Sequence, residues 1–455
     1  MAEDKGPKGS GKDSAPATNQ ISAPTISLPK GGGAIRGIGE KFAANPVTGT
    51  GSMSVPIATS PGRSGFGPQL SLSYDSGAGN GPFGFGWSLA VPSISRKTDK
   101  GLPKYQDADE SDVFILSGAE DLVPVLTQNA GGQWVSEDLP PRTVNSTAYR
   151  IQRYRPRIEG LFARIERWTN QTDPQDSFWR SISRDNITTW YGKTSESRIA
   201  DPADPTRIFS WLICESYDDK GNIIGYGYKD ENSNHVDLSQ VHERNRTPDT
   251  RKANRYLKRI RYGNHTPYSP KLTETASWPT LPPDNKWYFE VVFDYGEHDV
   301  DTPTPTGEIA PWPRRNDPFS TYRSGFEIRT YRLCQRVLMF HHFPEETDVG
   351  ADCLVRSTDF TYSHEQSPAG ARNPIFSTLL SVSQSGYKRQ GTGYLKKSLP
   401  PVEFQYTEPN IDGTIHDVDA ESLENLPYGL DGAAYQWTDL HGEGIPGILT
   451  EQAEG

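Results

Sequence analysis

Apolar and polar positions alternate in short runs along almost the whole of this chain, with turn residues between the runs. Between Asn45 and Leu89, residues 52–57 and 69–74 form two such runs set between glycine-rich segments. That period belongs to half-buried strands, and glycine supplies the backbone freedom that tight connections need. Residues 149–157 and 161–168 alternate around Glu159-Gly160, which predicts a hairpin whose arginines lie on a solvated sheet face. Further hairpins are predicted over 178–191, around Asp185-Asn186, and over 211–228, around Asp219-Lys220-Gly221-Asn222. Residues 254–261 place Tyr256, Leu257 and Ile260 at a spacing open to a helix. Their Tyr262-Gly263-Asn264 ending suits a strand and turn, and the strand is favoured. The alternation of Phe326, Ile328 and Thr330, followed by the apolar run 337–340, predicts one long, partly buried strand within 317–343.

The expected fold class is therefore mainly β, with antiparallel sheets and hairpins filling a large domain over 34–406. Residues 1–33 are polar, charged or rich in Gly, Pro and Ser, and read as a flexible tail. After Thr407 the composition turns acidic, notably over 412–424, which marks 407–430 as a linker ahead of a last segment, 431–455.

Composition sharpens this. At 455 residues the chain exceeds one typical domain, so a large core and a second unit are expected. Only 33% of residues are hydrophobic, so the 10 Trp, 21 Tyr and 17 Phe must carry much of the burial. The 43 Gly and 37 Pro show no collagen-like period and favour a turn-rich β protein. A net charge of -11 argues against a nucleic-acid partner. No run approaches the roughly 18–20 apolar residues of a membrane span. The N-terminus lacks the apolar core of a secretory signal. Synthesis in the cytoplasm without a classical signal peptide is expected, with lysis or a dedicated route for export. Cys214, Cys334 and Cys353 are odd in number and form no CxxC pair, which indicates neither a disulfide framework nor a zinc site.

The search for chemistry finds near misses. Residues 6–13, GPKGSGKD, nearly copy a phosphate-binding loop, but Asp13 stands where Ser or Thr is needed and no strand precedes. Gly62-Arg63-Ser64-Gly65 fails the spacing of a nucleophile elbow, and His242-Glu243 lacks the second histidine of a zincin. His364-Glu365 leads into Pro368 instead. Gly84-Phe85-Gly86 lacks the strand–turn–helix setting of a dinucleotide site and suits tight packing of Phe83, Phe85 and Trp87. His341 and His342, with Cys334 and Cys353 nearby, tempt a metal assignment. Adjacent strand residues point to opposite faces, so both are read as structural. No catalytic, cofactor-binding or metal-ligating residue is assigned.

Several long strings carry a resemblance. They are NPVTGTGSMSVPIATSPGRSGFGPQLSLSYDSGAGNGPFGFGWSL at 45–89, WYFEVVFDYGEHD at 287–299 and DPFSTYRSGFEIRTYRLCQRVLMFHHF at 317–343. Together they resemble the B component of bacterial insecticidal toxin complexes, whose opening module also forms the N-terminal half of the Salmonella virulence plasmid B (SpvB) family. The resemblance spans roughly 26–455. WLICESYDDKGNIIGYGY at 211–228 looks like one D-x-x-G-N…Y-x-Y unit of an RHS repeat. AAYQWTDLHGEGIPGILTE at 433–451 resembles an FG-GAP/VCBS propeller blade, and implies the start of a β-propeller over 431–455. Asp439 matches the first calcium ligand of that loop, while His441, Glu443 and Gly447 replace later ones. Calcium wants several hard oxygens, so a metal-free turn is expected. A single blade cannot bury its faces, so a longer polypeptide is expected.

The resemblance implies a non-catalytic module of a shell, built with a toxin complex C component around a cytotoxic effector. The propeller would dock on the pore-forming A component, with Asp439, His441 and Glu443 as the expected partner surface. The assembly would act outside the bacterium on a host cell. The alternative implied by the same family is the N-terminal carrier of an actin-targeting mono-ADP-ribosyltransferase. That chemistry needs an S-T-S strand and an E-x-E pair. Ser357-Thr358-Asp359 is not the first, and Glu421-Ser422-Leu423-Glu424 has one residue too many for the second. A transferase would have to lie outside these residues. A third reading is an adhesion module whose aromatic β faces contact glycan or protein.

Overall fold

The computed structural model describes residues 38–45, 50–118, 120–270, 278–363 and 376–407, isolated positions between 414 and 421, and two short strands after them. The tail 1–33 and most of 407–430 lie outside the described residues. The chain divides into two compact units, 1–405 and 406–455.

The first unit opens with an antiparallel sheet of β1 (Lys41–Asn45), β2 (Thr50–Ile57), β3 (Leu70–Asp75) and β4 (Trp87–Leu89). Cross-strand partners Val55↔Leu72 and Ile57↔Leu70 bury one face of β2 and β3, as the period of two requires.

Eight strands follow: β5 (Ser93–Arg96), β6 (Phe114–Leu116), β7 (Glu120–Pro124), β8 (Thr147–Pro156), β9 (Arg164–Asn170), β10 (Ser177–Ile182), β11 (Thr188–Tyr191) and β12 (Asp204–Tyr217). They pair antiparallel in the order β8-β9-β10-β11-β12-β5-β6-β7, and β7 returns to β8. The ring is closed, so it has no free edge. Its interior is filled. Phe114 on β6 meets Tyr154, Trp179 and Trp211 from across the barrel, at ring-centroid distances of 5.8, 4.9 and 5.7 Å. An eight-stranded barrel is just narrow enough for side chains to do this.

The long β12 also pairs with β13 (Ile223–Asp230), which continues the sheet through β14 (Arg255–Asn264), β15 (Trp287–Asp294), β16 (Arg336–Phe343), β17 (Gly350–Tyr362) and β18 (Leu379–Gln390). The opening sheet packs on this one. Val55 and Leu72 share a core with Tyr262, Val291, Phe293, Met339 and Val382.

The three predicted hairpins are formed by β8–β9, β10–β11 and β12–β13, with Asn186 and Gly221 at positive φ in two of the turns. Residues 255–264 form a strand. The single long strand expected within 317–343 is not formed. Phe319–Thr321 pairs with Ile328–Thr330 as a separate hairpin, and β16 begins only at Arg336. Between them Tyr331, Arg332, Leu333 and Cys334 are all buried, so no outward face remains for a strand to alternate onto. Arg332 there donates to the Trp312 carbonyl and to Glu231.

In the second unit, Tyr435–Thr438 pairs antiparallel with Gly447–Thr450. The expected propeller start is not shown by this strand pair, and a complete blade is not among the described residues.

Candidate functional site

Asp439, His441 and Glu443 fall between the two strands of that last hairpin and lie outside the described residues. On its strands, Trp437 and Leu449 are exposed.

His341 and His342 do point to opposite faces of β16. His341 Nε2 shares a 2.6 Å hydrogen bond with the Ser60 hydroxyl. Burial, with the charge of His342, lowers its pKa to about 4, so the ring is neutral. His342 sits between Glu290 (3.3 Å) and Asp352 (2.9 Å). Burial opposes its charge, but the two carboxylates win and raise its pKa to about 9. One ring is a neutral core residue and the other a cation held by two acids. They share no ligand position.

The cluster that sequence reasoning missed is Asp294, Glu297 and His298, three buried residues whose ligand atoms lie within 4.8 Å of one another. The string DYGEHD contains them, but their convergence depends on Lys258 from β14. The Lys258 ammonium is bonded to Glu297, lies 2.8 Å from His298 Nε2 and donates to the Phe293 carbonyl at 3.3 Å. Asp294 Oδ1 accepts the backbone N–H groups of Gly296, Glu297 and His298, at 2.8, 3.1 and 3.3 Å. Its Oδ2 takes Arg336 Nε at 2.8 Å. The positive charge that a metal ion would bring is already supplied by lysine and arginine. The cluster staples the turn after β15 to β14 and β16.

The other buried charges are engaged in the same manner. Inside the barrel, Arg96 Nη1 meets Asp107 at 2.6 Å and Asp112 at 2.7 Å, and Arg167 reaches Asp107 at 2.5 Å. Arg96 lies 5.2 Å from the Phe114 ring centre and 5.5 Å from that of Trp211, so the polar plug rests on the aromatic filling. Glu243 collects Arg251, Arg329 and the Tyr331 hydroxyl. The three cysteines are free and buried. Burial, with Glu215 beside it, pushes the Cys214 thiol up to about 12, which removes nucleophilic character at neutral pH. These groups hold strands and loops together; their geometry offers no open nucleophile with a base beside it.

The comparisons agree with such a framework. Residues 45–343 match the family model described as Salmonella virulence plasmid 65kDa B protein. A curated relative, Mono(ADP-ribosyl)transferase SpvB of Salmonella choleraesuis (strain SC-B67), is 38% identical over 370 residues, 81% of this chain and 57% of the relative. The match thus spans little more than half of that protein's length. Among solved structures, the N-terminal domain of effector protein SpvB from Salmonella typhimurium strain LT2 superposes with a TM-score of 0.63 at 37% identity, covering 73% of this chain and 98% of that one. TcdB2-TccC3 superposes with a TM-score of 0.74 at 32% identity, covering 95% of this chain and 20% of the other. The Photorhabdus luminescens Tc holotoxin pore gives 0.72 at 32%, covering 96% and 19%. With the family model matching 45–343 and a relative 38% identical over 81% of the chain, this chain belongs to the Salmonella virulence plasmid 65kDa B protein family.

Proposed function

We propose that this chain is a non-catalytic structural and assembly module of a toxin-complex B subunit, forming part of the shell that encloses and delivers a cytotoxic effector. One observation carries the reading: the likeness to TcdB2-TccC3 takes in 95% of the chain, against 73% for the SpvB N-terminal domain. A closed barrel and buried ion pairs that serve packing support it. In this reading 1–33 is a tail, 34–406 the β module, 407–430 a linker and 431–455 the start of a propeller. The partners are a C component of the TccC3 kind and a pore-forming A component, and the contact with the latter involves Asp439, His441 and Glu443. The protein acts outside the bacterial cell, on a host. No helix among the described residues is long and apolar enough to cross a membrane.

The test is co-expression of the full-length protein with its C component, followed by size-exclusion chromatography and electron microscopy. A stable hollow complex is expected. A second reading, the carrier module of a mono-ADP-ribosyltransferase, is favoured by the 38% identity to an enzyme of that name. Transfer of ADP-ribose from NAD to actin by the full-length protein, with no complex formed, would establish that reading and overturn the first.

A further inference from the structure

Outside the barrel wall, the segment Asp138–Val144 pairs with β8 but not evenly. Leu139 faces Ile151 and Arg142 faces Tyr149, so Pro140 and Pro141 together oppose a single residue. Neither proline has an N–H for the ladder, and the strand lifts away as a bulge. Beneath it opens a cleft of about 510 Å³, walled by Leu139, Pro140, Pro141, Val144 and Ile151. Its polar lining is Arg142, Thr143, Arg164, Arg180 and Glu166.

The charges there do not balance. Glu166 is fully buried and accepts Arg164 Nε at 2.5 Å, Arg180 Nε at 2.9 Å and Trp168 Nε1 at 3.0 Å. Burial opposes its charge, but Arg180, Trp168 and Arg164 hold its carboxyl below the usual range. Arg180 is fixed by two tryptophans, 5.2 Å from the Trp168 ring centre and 5.4 Å from that of Trp190. The Arg142 side chain has no hydrogen-bond or ion-pair partner among the described residues, and its like charge bears on Arg180. Neighbouring carboxylates are taken elsewhere: Asp138 pairs with Arg150 and Glu137 with Arg153. Three guanidinium groups thus face one carboxylate. Arg164 spends only its Nε on Glu166, so its two terminal amino groups remain as donors, and Arg142 lines the same cleft.

We propose that this cleft is a binding site for an organic anion, in which Arg142, Arg164 and Arg180 take a phosphate or carboxylate group and the proline-lined wall takes a small apolar body. Guanidinium forks match the geometry of both oxyanions, and a half-enclosed apolar wall strengthens the charge-assisted bonds. This does not depend on the assembly reading above.

Calorimetric titration of the full-length protein with phenyl phosphate and with inorganic phosphate tests it. Phenyl phosphate should bind at a single site, about tenfold more weakly in Arg142→Ala and not measurably in Arg142→Glu. Thermal melts of both variants should match the parent, since the Arg142 side chain bonds to no protein group among the described residues. Heat that persists unchanged in Arg142→Glu, or no binding up to about 10 mM, overturns the site. Equal affinity for inorganic and phenyl phosphate, both lost in Arg142→Glu, overturns the apolar half of the assignment.

Discussion

Arg332 and Glu231 meet with both side chains wholly out of water, the guanidinium Nε donating to the two carboxylate oxygens at 3.0 and 3.1 Å. The Trp312 ring lies 4.5 Å away and the Tyr256 hydroxyl donates to Glu231 at 3.0 Å. This pair locks the segment that interrupts the expected strand onto β13 and β14.

Breaking the pair from one side leaves a bare buried charge. Arg332→Met should cost about 3–5 kcal/mol in urea unfolding. Adding Glu231→Gln should recover part of that loss, because the stranded carboxylate is gone. Additive effects of the two substitutions would show that the pair is uncoupled.

Gly192 follows β11 with φ of +66°, and a Cβ there would meet Trp211 Cδ1 at 2.3 Å. Trp211 cannot yield, since it is buried in the barrel and its Nε1 donates to the Ser177 carbonyl at 2.7 Å. Gly192→Ala should destabilise by about 2–4 kcal/mol. Gly160, in the predicted turn and with open space around it, is the control. Gly160→Ala should stay within about 0.5 kcal/mol of the parent.

The adjacent histidines tilt stability in opposite directions. The pKa of His342 is raised to about 9, so the folded protein binds the extra proton and stability falls as pH climbs from about 6.5 to 9. His341 is lowered to about 4, so its contribution is full above about 6.5 and is lost as pH falls toward 4. His342→Gln should flatten the alkaline limb of a stability–pH curve, and His341→Gln the acid limb. An alkaline limb unchanged in His342→Gln would remove the carboxylate pairing as its cause.

If the last segment carries the docking contact, replacing Asp439, His441 and Glu443 by alanine should weaken binding to the pore-forming component while leaving the complex with the C component intact. Surface plasmon resonance on the co-purified complex reads the first, and size-exclusion chromatography the second. Unchanged affinity for the pore-forming component would move the contact elsewhere.

Much of the strand pattern was legible because it is local. Glu159-Gly160, Asp185-Asn186 and Gly221-Asn222 announce hairpins through turn chemistry, and alternation on the flanks sets which residues face inward. Tyr256, Leu257 and Ile260 were ambiguous, since a short apolar run fits either period. The Lys258 cluster was not legible at all. Its members sit on β14 and at and after the end of β15, and only cross-strand register brings an ammonium beside a glutamate and a histidine.

The sequence by itself determined the antiparallel class, the positions of three hairpins, the family and the near absence of catalytic motifs, because each depends on residue types close together in the chain. Tertiary structure decided that β7 returns to β8 to close a barrel, that 331–334 forms an irregular buried segment, and that a proline bulge opens an arginine-lined cleft. Those outcomes rest on contacts between residues far apart in sequence. Burial there raises the cost of every unpaired charge, so the partner that arrives from another strand decides what each group becomes.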